Sequence, residues 1–275
     1  MNILIVYNSE KTVALQMAEK VSEVLKKNGA DIIVTEFSKD IVSSETENKL
    51  FSGVSATVVI GGDGTILKVA KTAALHECPV LGINAGRLGY LASVNGDKLD
   101  ILKRLISGEY TVETRIMLKA EKYIDGVCVD RCDCLNDAVI SKDTLSNVID
   151  IKLRIGNDTI KYRADGIIAA TPTGSTAYSL SAGGPVVDPQ LKCMVLTPVC
   201  PHTLVTRSVV MDAETPVNIS VDGSTEIYLS CDGCKAYELN GNATVRISIS
   251  DIYAKFIKLS DVSVYKIFSD KTDNY

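Results

Sequence analysis

Residues 56–75 read ATVVIGGDGTILKVAKTAAL, and no other stretch restricts the possible folds as much. Ala56–Ile60 is a short β-branched apolar run with the composition of a buried strand. From Ile66 the composition turns helical, with Lys68 and Lys71 among apolar residues. Gly61, Gly62 and Gly64 therefore fall on a strand-to-helix turn, where positive φ and close approach of a ligand are expected. Free N–H groups at such a turn, with a helix dipole behind them, suit a phosphate. Asp63 is the odd member, because a carboxylate repels that anion. Binding a metal, or accepting a proton from an attacking hydroxyl, would justify its presence. The plainer alternative is a turn aspartate that caps the helix through Thr65 or its own side chain.

The flanking sequence extends the pattern. Asn2–Tyr7 is a strand, Asn8-Ser9-Glu10 a turn, and Val13–Asn28 a helix with Ala14, Met17, Val21 and Leu25 at helical spacing, ended by Gly29. Ala30–Thr35 and Pro79–Asn84 are further strands, the latter running into Ala85-Gly86-Arg87-Leu88-Gly89-Tyr90-Leu91. Alternating strand and helix predict a parallel-sheet α/β domain over residues 1–98. In such sheets a ligand sits at the carboxyl ends of the strands, where Asn8, Asp63 and Asn84 fall. Asn and Asp are also ordinary turn residues at strand ends.

After a short helix expected at Asp97–Gly108, the pattern changes. Met117–Asp130, Ala138–Ser141, Val148–Ile155 and Ile160–Tyr162 read as short strands, and residues 217–221, 226–230 and 243–249 alternate at period two. Residues 99–250 are expected to form a second, mainly β, sandwich-like domain. Within it, Ala164–Pro185 (ADGIIAATPTGSTAYSLSAGGP) is an apolar strand, a turn dense in hydroxyls and glycines, and a small-residue helix start. Such a turn can bond phosphate or ribose without adding charge, or it can be purely structural. Two cradles of this kind suggest one ligand across a cleft, or a donor and an acceptor. Asn136 and Asp137 stand side by side at a strand start, where an amide and a carboxylate can grip a vicinal ribose diol or simply make a turn. Asp232-Gly233 reads as a turn, and His202, between Pro201 and Thr203, as a packed or capping residue.

Charge and cysteine spacing exclude several classes. A net charge of −5 argues against general nucleic-acid binding. A phosphate binder this acidic must concentrate its cations locally, with Lys68, Lys71, Arg87, Arg163 and Arg207 as candidates. The N-terminus reads directly as a strand, without a charged leader, and no apolar run reaches the ~18 residues of a membrane span. No membrane association is expected, and the cytoplasm is the expected compartment. The eight cysteines include Cys132-x-Cys134 and Cys231-x-x-Cys234, but with only two histidines the four ligands of a closed zinc site are not in evidence. Free thiols are expected, and no metal ligands are assigned.

With GGDGT, LNDAVI, ADGIIAATPTGSTAYSLSAGGP, TPVCPHTL and SCDGC in this order, the chain resembles the NAD kinases over roughly residues 1–265. Diacylglycerol kinases, sphingosine kinases and 6-phosphofructokinases carry turns similar to GGDGT; the TPTGSTAYSLSAGGP segment is far more specific. The resemblance implies a Rossmann-like or phosphofructokinase-like first domain. It also implies phosphorylation of the 2′-hydroxyl of the adenosine ribose of NAD, with ATP and a divalent cation such as Mg²⁺, in a homo-oligomer (dimer or tetramer). On that resemblance Asp63 is the proton acceptor, Gly61, Gly62 and Gly64 the phosphate-approaching backbone, and Lys68 the basic residue one helical turn on. Tyr90 is a wall for the nucleotide, and Asn136 and Asp137 belong to the acceptor site. Thr176, Ala177, Tyr178 and Ser181 form the adenine-side pocket, and Arg163 and Asp165 lie toward the nicotinamide half. Residues 251–275 are expected to return to the first domain. Three departures bear on affinity: Asp137 replaces the commoner Glu, Ala164 the usual Gly, and Cys234 a Gln. A diacylglycerol-type lipid kinase and a non-catalytic dinucleotide sensor are the rival readings. The first lacks a basic amphipathic helix, and the second has no use for a carboxylate beside phosphates.

Overall fold

The apolar runs pair as strands in the computed structural model, which describes residues 1–9, 12–37, 44–84, 89–143, 147–202, 207–223, 226–233, 235–239, 241–260 and 264–272. Contacts divide the chain into one unit of Met1–Thr114 with Tyr253–Tyr275, and a second of Arg115–Ile252.

The first unit runs β1 (Asn2–Tyr7), α1 (Thr12–Lys27), β2 (Asp31–Glu36), α2 (Ser44–Phe51), β3 (Ala56–Ile60), α3 (Asp63–Leu75), β4 (Val80–Asn84) and β5 (Val94–Asn95). Its strands lie in the order β2-β1-β3-β4 and pair in parallel, with Tyr7 opposite Ile60 and Ile60 opposite Ile83. Strands β3 and β4 are buried along their whole length. That is why they read as unbroken apolar runs rather than alternating ones. Helix α1 turns Ala14, Ala18, Val21 and Leu25 into this core, and Gly29, at φ +90, ends it. The short helix expected at 97–108 is instead a 3₁₀ turn, Leu99–Leu102, running into α4 (Lys103–Ser107). Its start has no side-chain cap, and the first turn tightens, as uncapped helix ends do. The last strand of the chain, Thr244–Lys258, sets Phe256 in parallel with Val80, and Ile257 and Leu259 enter the same core as Ile3, Leu81 and Leu105. Ser93 Oγ donates to the Ile257 carbonyl at 3.0 Å and Arg104 Nη1 to that of Leu259 at 2.8 Å.

The second unit is built from β6 (Thr111–Ile124), β7 (Val127–Cys134), β8 (Asp137–Lys142), β9 (Ile149–Ile155), β10 (Asp158–Ala164), β11 (Gly166–Ala170), α5 (Tyr178–Ser181), β12 (Cys193–Val199), β13 (Val209–Asp212), β14 (Val217–Asp222), β15 (Ile227–Cys231), β16 (Lys235–Glu238) and β17 (Thr244–Lys258). An antiparallel sheet in the order β13-β12-β11-β8-β15-β16 forms one layer; the other contains β10-β9-β14-β17, also antiparallel. Ile140, Ile167, Met194 and Leu229 from the first layer meet Ile151, Leu153, Ile219 and Ile247 from the second in one core. The opposite face of the first layer carries Val139, Ile168, Ala170 and Val195 in a smaller core with Val187. Strand β11 is thus covered on both faces, which accounts for its uninterrupted apolar sequence. The single strand expected over Met117–Asp130 is a hairpin of β6 and β7. Asp125 at φ +49 and Gly126 at φ +80 reverse the chain between them. Two consecutive left-handed residues match the twist of antiparallel strands, and Asp-Gly is the pair that adopts them most readily.

Candidate functional site

In the first unit the parallel strands deliver Asn8, the glycine turn and Asn84 to their carboxyl ends. Gly62 is the residue before α3 and makes no side-chain cap; Asp63 is the first helical residue. The positive φ expected at this turn is not there. Gly62 lies at φ −87, ψ 175, and Gly61 and Gly64 are outside the left-handed region too. Space is the reason for Gly61, where a Cβ would come within 2.8 Å of Thr65 Cβ. Thr65 is itself fixed by Asn8, whose Nδ2 donates to Thr65 Oγ1 at 3.2 Å. Gly64 is exposed, and a Cβ there would meet nothing within 4 Å. The internal packing of this unit does not demand a glycine at 64, whereas close approach of a ligand to the backbone would.

The Asp63 carboxylate does not cap its own helix. Oδ2 accepts the Tyr90 N–H at 2.9 Å and Oδ1 that of Leu91 at 3.1 Å. The segment that holds it must pass very near: a Cβ on Gly89 would stand 2.0 Å from Asp63 Oδ1. Tyr90 is half-buried, and burial, with the Asp63 charge beside it, pushes its phenol pKa up. Lys68 follows one turn after Gly64 on the exposed side of α3, its ammonium 6.0 Å from the centre of the Phe37 ring. Arg87 lies outside the described residues. The Gly61 N–H is spent on the Ile83 carbonyl at 3.1 Å and the Thr65 N–H on that of Gly62 at 3.0 Å, so the donors this end of α3 offers an anion are the N–H groups of its first two residues, Asp63 and Gly64. Its carboxylate is fixed in one direction by two donors from another segment. Each oxygen keeps a second lone pair with which to accept a proton.

In the second unit the Leu135–Asp137 backbone is completely bonded. The three N–H groups, of Leu135, Asn136 and Asp137, all donate to the Asp232 carboxylate, at 2.9, 2.7 and 3.1 Å. The carbonyls of Leu135 and Asn136 accept from Thr171 Oγ1 (2.6 Å) and Thr171 N (2.8 Å), and that of Asp137 from Asp232 N (2.9 Å). Gly174 closes the brace, its N–H on Thr171 Oγ1 at 3.0 Å. A Cβ on Gly174 would lie 2.0 Å from the Asn136 carbonyl oxygen. Gly174→Ala is therefore expected to cost about 1–3 kcal/mol, the usual cost of overpacking, because the obstacle is backbone. Chemical denaturation checks it, and an unchanged midpoint would show that the loop moves aside freely.

The hydroxyl-rich turn after β11 is mostly spent on its own architecture. Ser175 Oγ donates to the Pro172 carbonyl and accepts from Val187 N, Ser179 Oγ bonds Thr197 Oγ1, and Arg115 donates to Thr173 Oγ1. The expected pool of ligand-binding hydroxyls is thus smaller than the sequence suggests. Thr176 and Ala177 are half-buried and Tyr178 and Ser181 exposed; Leu180 and Ala182 are half-buried and Gly183 exposed beside them. Thr176 Oγ1 also reaches the Thr173 carbonyl at 3.3 Å. Arg163 forms an exposed ion pair with Asp150 at 3.7 Å, and Asp165 a closer one with Lys142 at 3.0 Å. His202 is exposed, and its N–H donates to the Arg163 carbonyl. Cys234 lies outside the described residues. The seven described cysteines are free thiols, and among the described residues no three His, Cys, Asp or Glu side chains converge as a metal cluster.

Sequence reasoning passed over Gly89, Thr171, Gly174, Lys142 and Asp232. Only Asp232 carried a local signal, its place in an Asp-Gly pair, and that signal says turn.

Residues 3–110 match the ATP-NAD kinase N-terminal domain and residues 135–259 the ATP-NAD kinase C-terminal domain. The chain is 37% identical to an NAD kinase of Symbiobacterium thermophilum over 97% of both chains, and 32% identical to one of Natranaerobius thermophilus over 96% of this chain and 95% of that one. The chain belongs to the NAD kinase family. Among solved structures, an NAD kinase from Archaeoglobus fulgidus in complex with ATP superimposes with a TM-score of 0.76 at 26% identity, covering 100% of each chain. A yeast NADH kinase complexed with NADH shares the fold, with a TM-score of 0.79 at 20% identity over 99% of this chain and 86% of that one. The family's N-terminal domain contains Asp63 and Tyr90 of this chain. Its C-terminal domain contains Asn136, Asp137, Arg163, Asp165, Thr176, Ala177, Tyr178, Ser181 and Asp232.

Proposed function

We infer that this chain phosphorylates the 2′-hydroxyl of the adenosine ribose of NAD with ATP, and that Asp63 accepts the proton of that hydroxyl. Family membership makes it a kinase acting on NAD and sets aside the lipid-kinase and sensor readings. The observation that carries the role of Asp63 is its setting. A carboxylate stands where a helix end invites phosphate, aimed by the Tyr90 and Leu91 N–H groups rather than turned back as a cap.

The steps follow from that setting. The turn of Gly61, Gly62 and Gly64, at which Gly64 is the exposed member, binds ATP phosphates with the α3 dipole and the Lys68 ammonium. The acceptor hydroxyl donates a hydrogen bond to an Asp63 oxygen. As its oxygen forms the bond to the γ-phosphorus, its proton passes to Asp63, the bond from that phosphorus to the bridging oxygen breaks, and ADP leaves. Asn136 and Asp137 take a ribose diol of NAD, the amide donating and the carboxylate accepting. Thr176, Ala177, Tyr178 and Ser181 border the adenine, Tyr90 offers its ring to the nucleotide, and Arg163 and Asp165 serve the nicotinamide half. Mg²⁺ fits this donor set, since it is commonly held by one or two carboxylates plus substrate phosphates, and Asp63 is the carboxylate that would meet it. When bound, the metal offsets charge on the phosphates. We place the enzyme in the cytoplasm as a homo-oligomer, dimer or tetramer, on the family resemblance; among the described residues no helix is long and apolar enough to cross a membrane.

The test is incubation of the purified chain with NAD, ATP and Mg²⁺. The expected product is a substrate for an NADP-specific dehydrogenase. A phosphate on any other hydroxyl overturns the regiochemistry, and bound NAD without any product overturns the catalytic reading.

A further inference from the structure

We propose that Asp232 is the positioning residue of the NAD-binding loop, holding Asn136 and Asp137 in register for the dinucleotide. The proposal rests on the reading that these two side chains bind NAD.

Asp232 follows β15, which pairs with β8 so that Cys231 faces Ala138. That register brings a turn and a strand start together across 95–97 positions of sequence. Three consecutive backbone N–H groups then converge on one carboxylate, with Asn136 and Asp137 sharing Oδ1 and Leu135 on Oδ2. Consecutive N–H groups pointing the same way form a concavity that favours an anion, and here the chain fills it with its own charge. Hydrogen bonds to a charged acceptor are roughly twice as strong as neutral ones. Asp232 returns its own N–H to the Asp137 carbonyl, so the contact is reciprocal. A backbone φ of +51 keeps the carboxylate under the loop, a conformation open to Asp, Asn and Gly but awkward for most other residues. With every backbone group of Leu135–Asp137 occupied, the loop has no polar group left with which to rearrange. The Asn136 and Asp137 side chains leave from a fixed base.

A carboxylate used only for turn stability would not need to reach the residues that bind substrate. One used for positioning must act on NAD and not on ATP. Two variants keep the left-handed backbone. In Asp232→Asn one oxygen can still accept two N–H groups, but the amide NH₂ then faces the third donor. In Asp232→Gly all three N–H bonds to the carboxylate are lost while the return bond from residue 232 N–H can remain.

The experiment measures kcat and KM for NAD and for ATP in both variants, beside Asn136→Ala, with circular dichroism to confirm folding. The expected result is a rise of about 10- to 100-fold in KM for NAD, the scale on which small misplacements act. The rise should be larger for Gly than for Asn, with KM for ATP within about twofold. Equal KM values for NAD in folded variants and the parent overturn the proposal, as does a matching rise for ATP. Should Asn136→Ala itself leave KM for NAD unchanged, it is the ribose-binding reading that fails. If only the Asp232 variants leave it unchanged, the positioning role alone fails.

Discussion

Asp63→Asn is expected to lower kcat by about 10²–10⁴-fold, the range for loss of a general base, with NAD binding nearly intact. The hydrogen-bond pattern adds a second consequence. Asp63 serves two donors, Tyr90 N–H and Leu91 N–H, one on each oxygen. An amide can accept only one of them, and its NH₂ must face the other. A donor left without an acceptor costs about 1–3 kcal/mol when buried, so a lower unfolding midpoint should accompany the lost turnover. The two effects separate by measurement. Calorimetric titration with NAD reports whether the site survives, and single-turnover transfer from ATP reports the chemistry. Binding retained with transfer lost places Asp63 in the transfer step, as its role as proton acceptor requires. Transfer retained with the midpoint lowered would make Asp63 structural, an anchor for the segment after Gly89, or a metal ligand that Asn can replace.

What the sequence made legible follows the range of the forces involved. Strands β1 and β3 coincide with their mainly apolar runs, because burial on both faces of a parallel sheet leaves few polar positions to blur them. Helix α1 was readable for the same reason: Ala14, Val21 and Leu25 repeat at the spacing of one face, and Gly29 supplies a left-handed stop. The hairpin at Asp125-Gly126 was not read. Strand-forming residues stand on both sides, Tyr123 and Ile124 before the pair and Val127 and Val129 after it, so the Asp-Gly pair reads as part of one strand. At Gly61, Gly62 and Gly64 the turn was legible, but the positive φ expected of it is absent. At Gly61 the glycine answers to the space that Thr65 leaves, which its own neighbourhood in the sequence does not show.

The site shows the same division more sharply. Asp63 could be singled out because a charge amid glycines is a local anomaly. Its orientation could not be, since Tyr90 and Leu91 lie 27 and 28 positions away. The loss of hydroxyls from the turn after β11 was equally hidden. Ser179 meets Thr197, and Ser175 meets Val187, through pairings that local composition does not encode. Asp232 is the extreme case, a turn residue in its own neighbourhood and a loop anchor only once β15 lies against β8.

Gly89→Ala tests the orientation of Asp63 without touching its chemistry. Gly89 is outside the left-handed region, so alanine meets no backbone objection there. The obstacle is Asp63 itself, whose Oδ1 would lie 2.0 Å, Cγ 2.4 Å and Oδ2 2.5 Å from the new carbon. The tip of a side chain can turn away, so folding should suffer only modestly. Turning away breaks the two N–H contacts and carries the proton acceptor out of line. Displacement of a catalytic group by about an ångström costs on the order of 10²-fold, and that loss in kcat is expected with the carboxylate still present. The double variant is the sharper measurement. Two changes that act through one carboxylate cannot add, so Gly89→Ala should do little further harm in an Asp63→Asn background. Full additivity would mean that Gly89 serves the nucleotide directly, through the close approach of its backbone, and that the aim of Asp63 is set elsewhere.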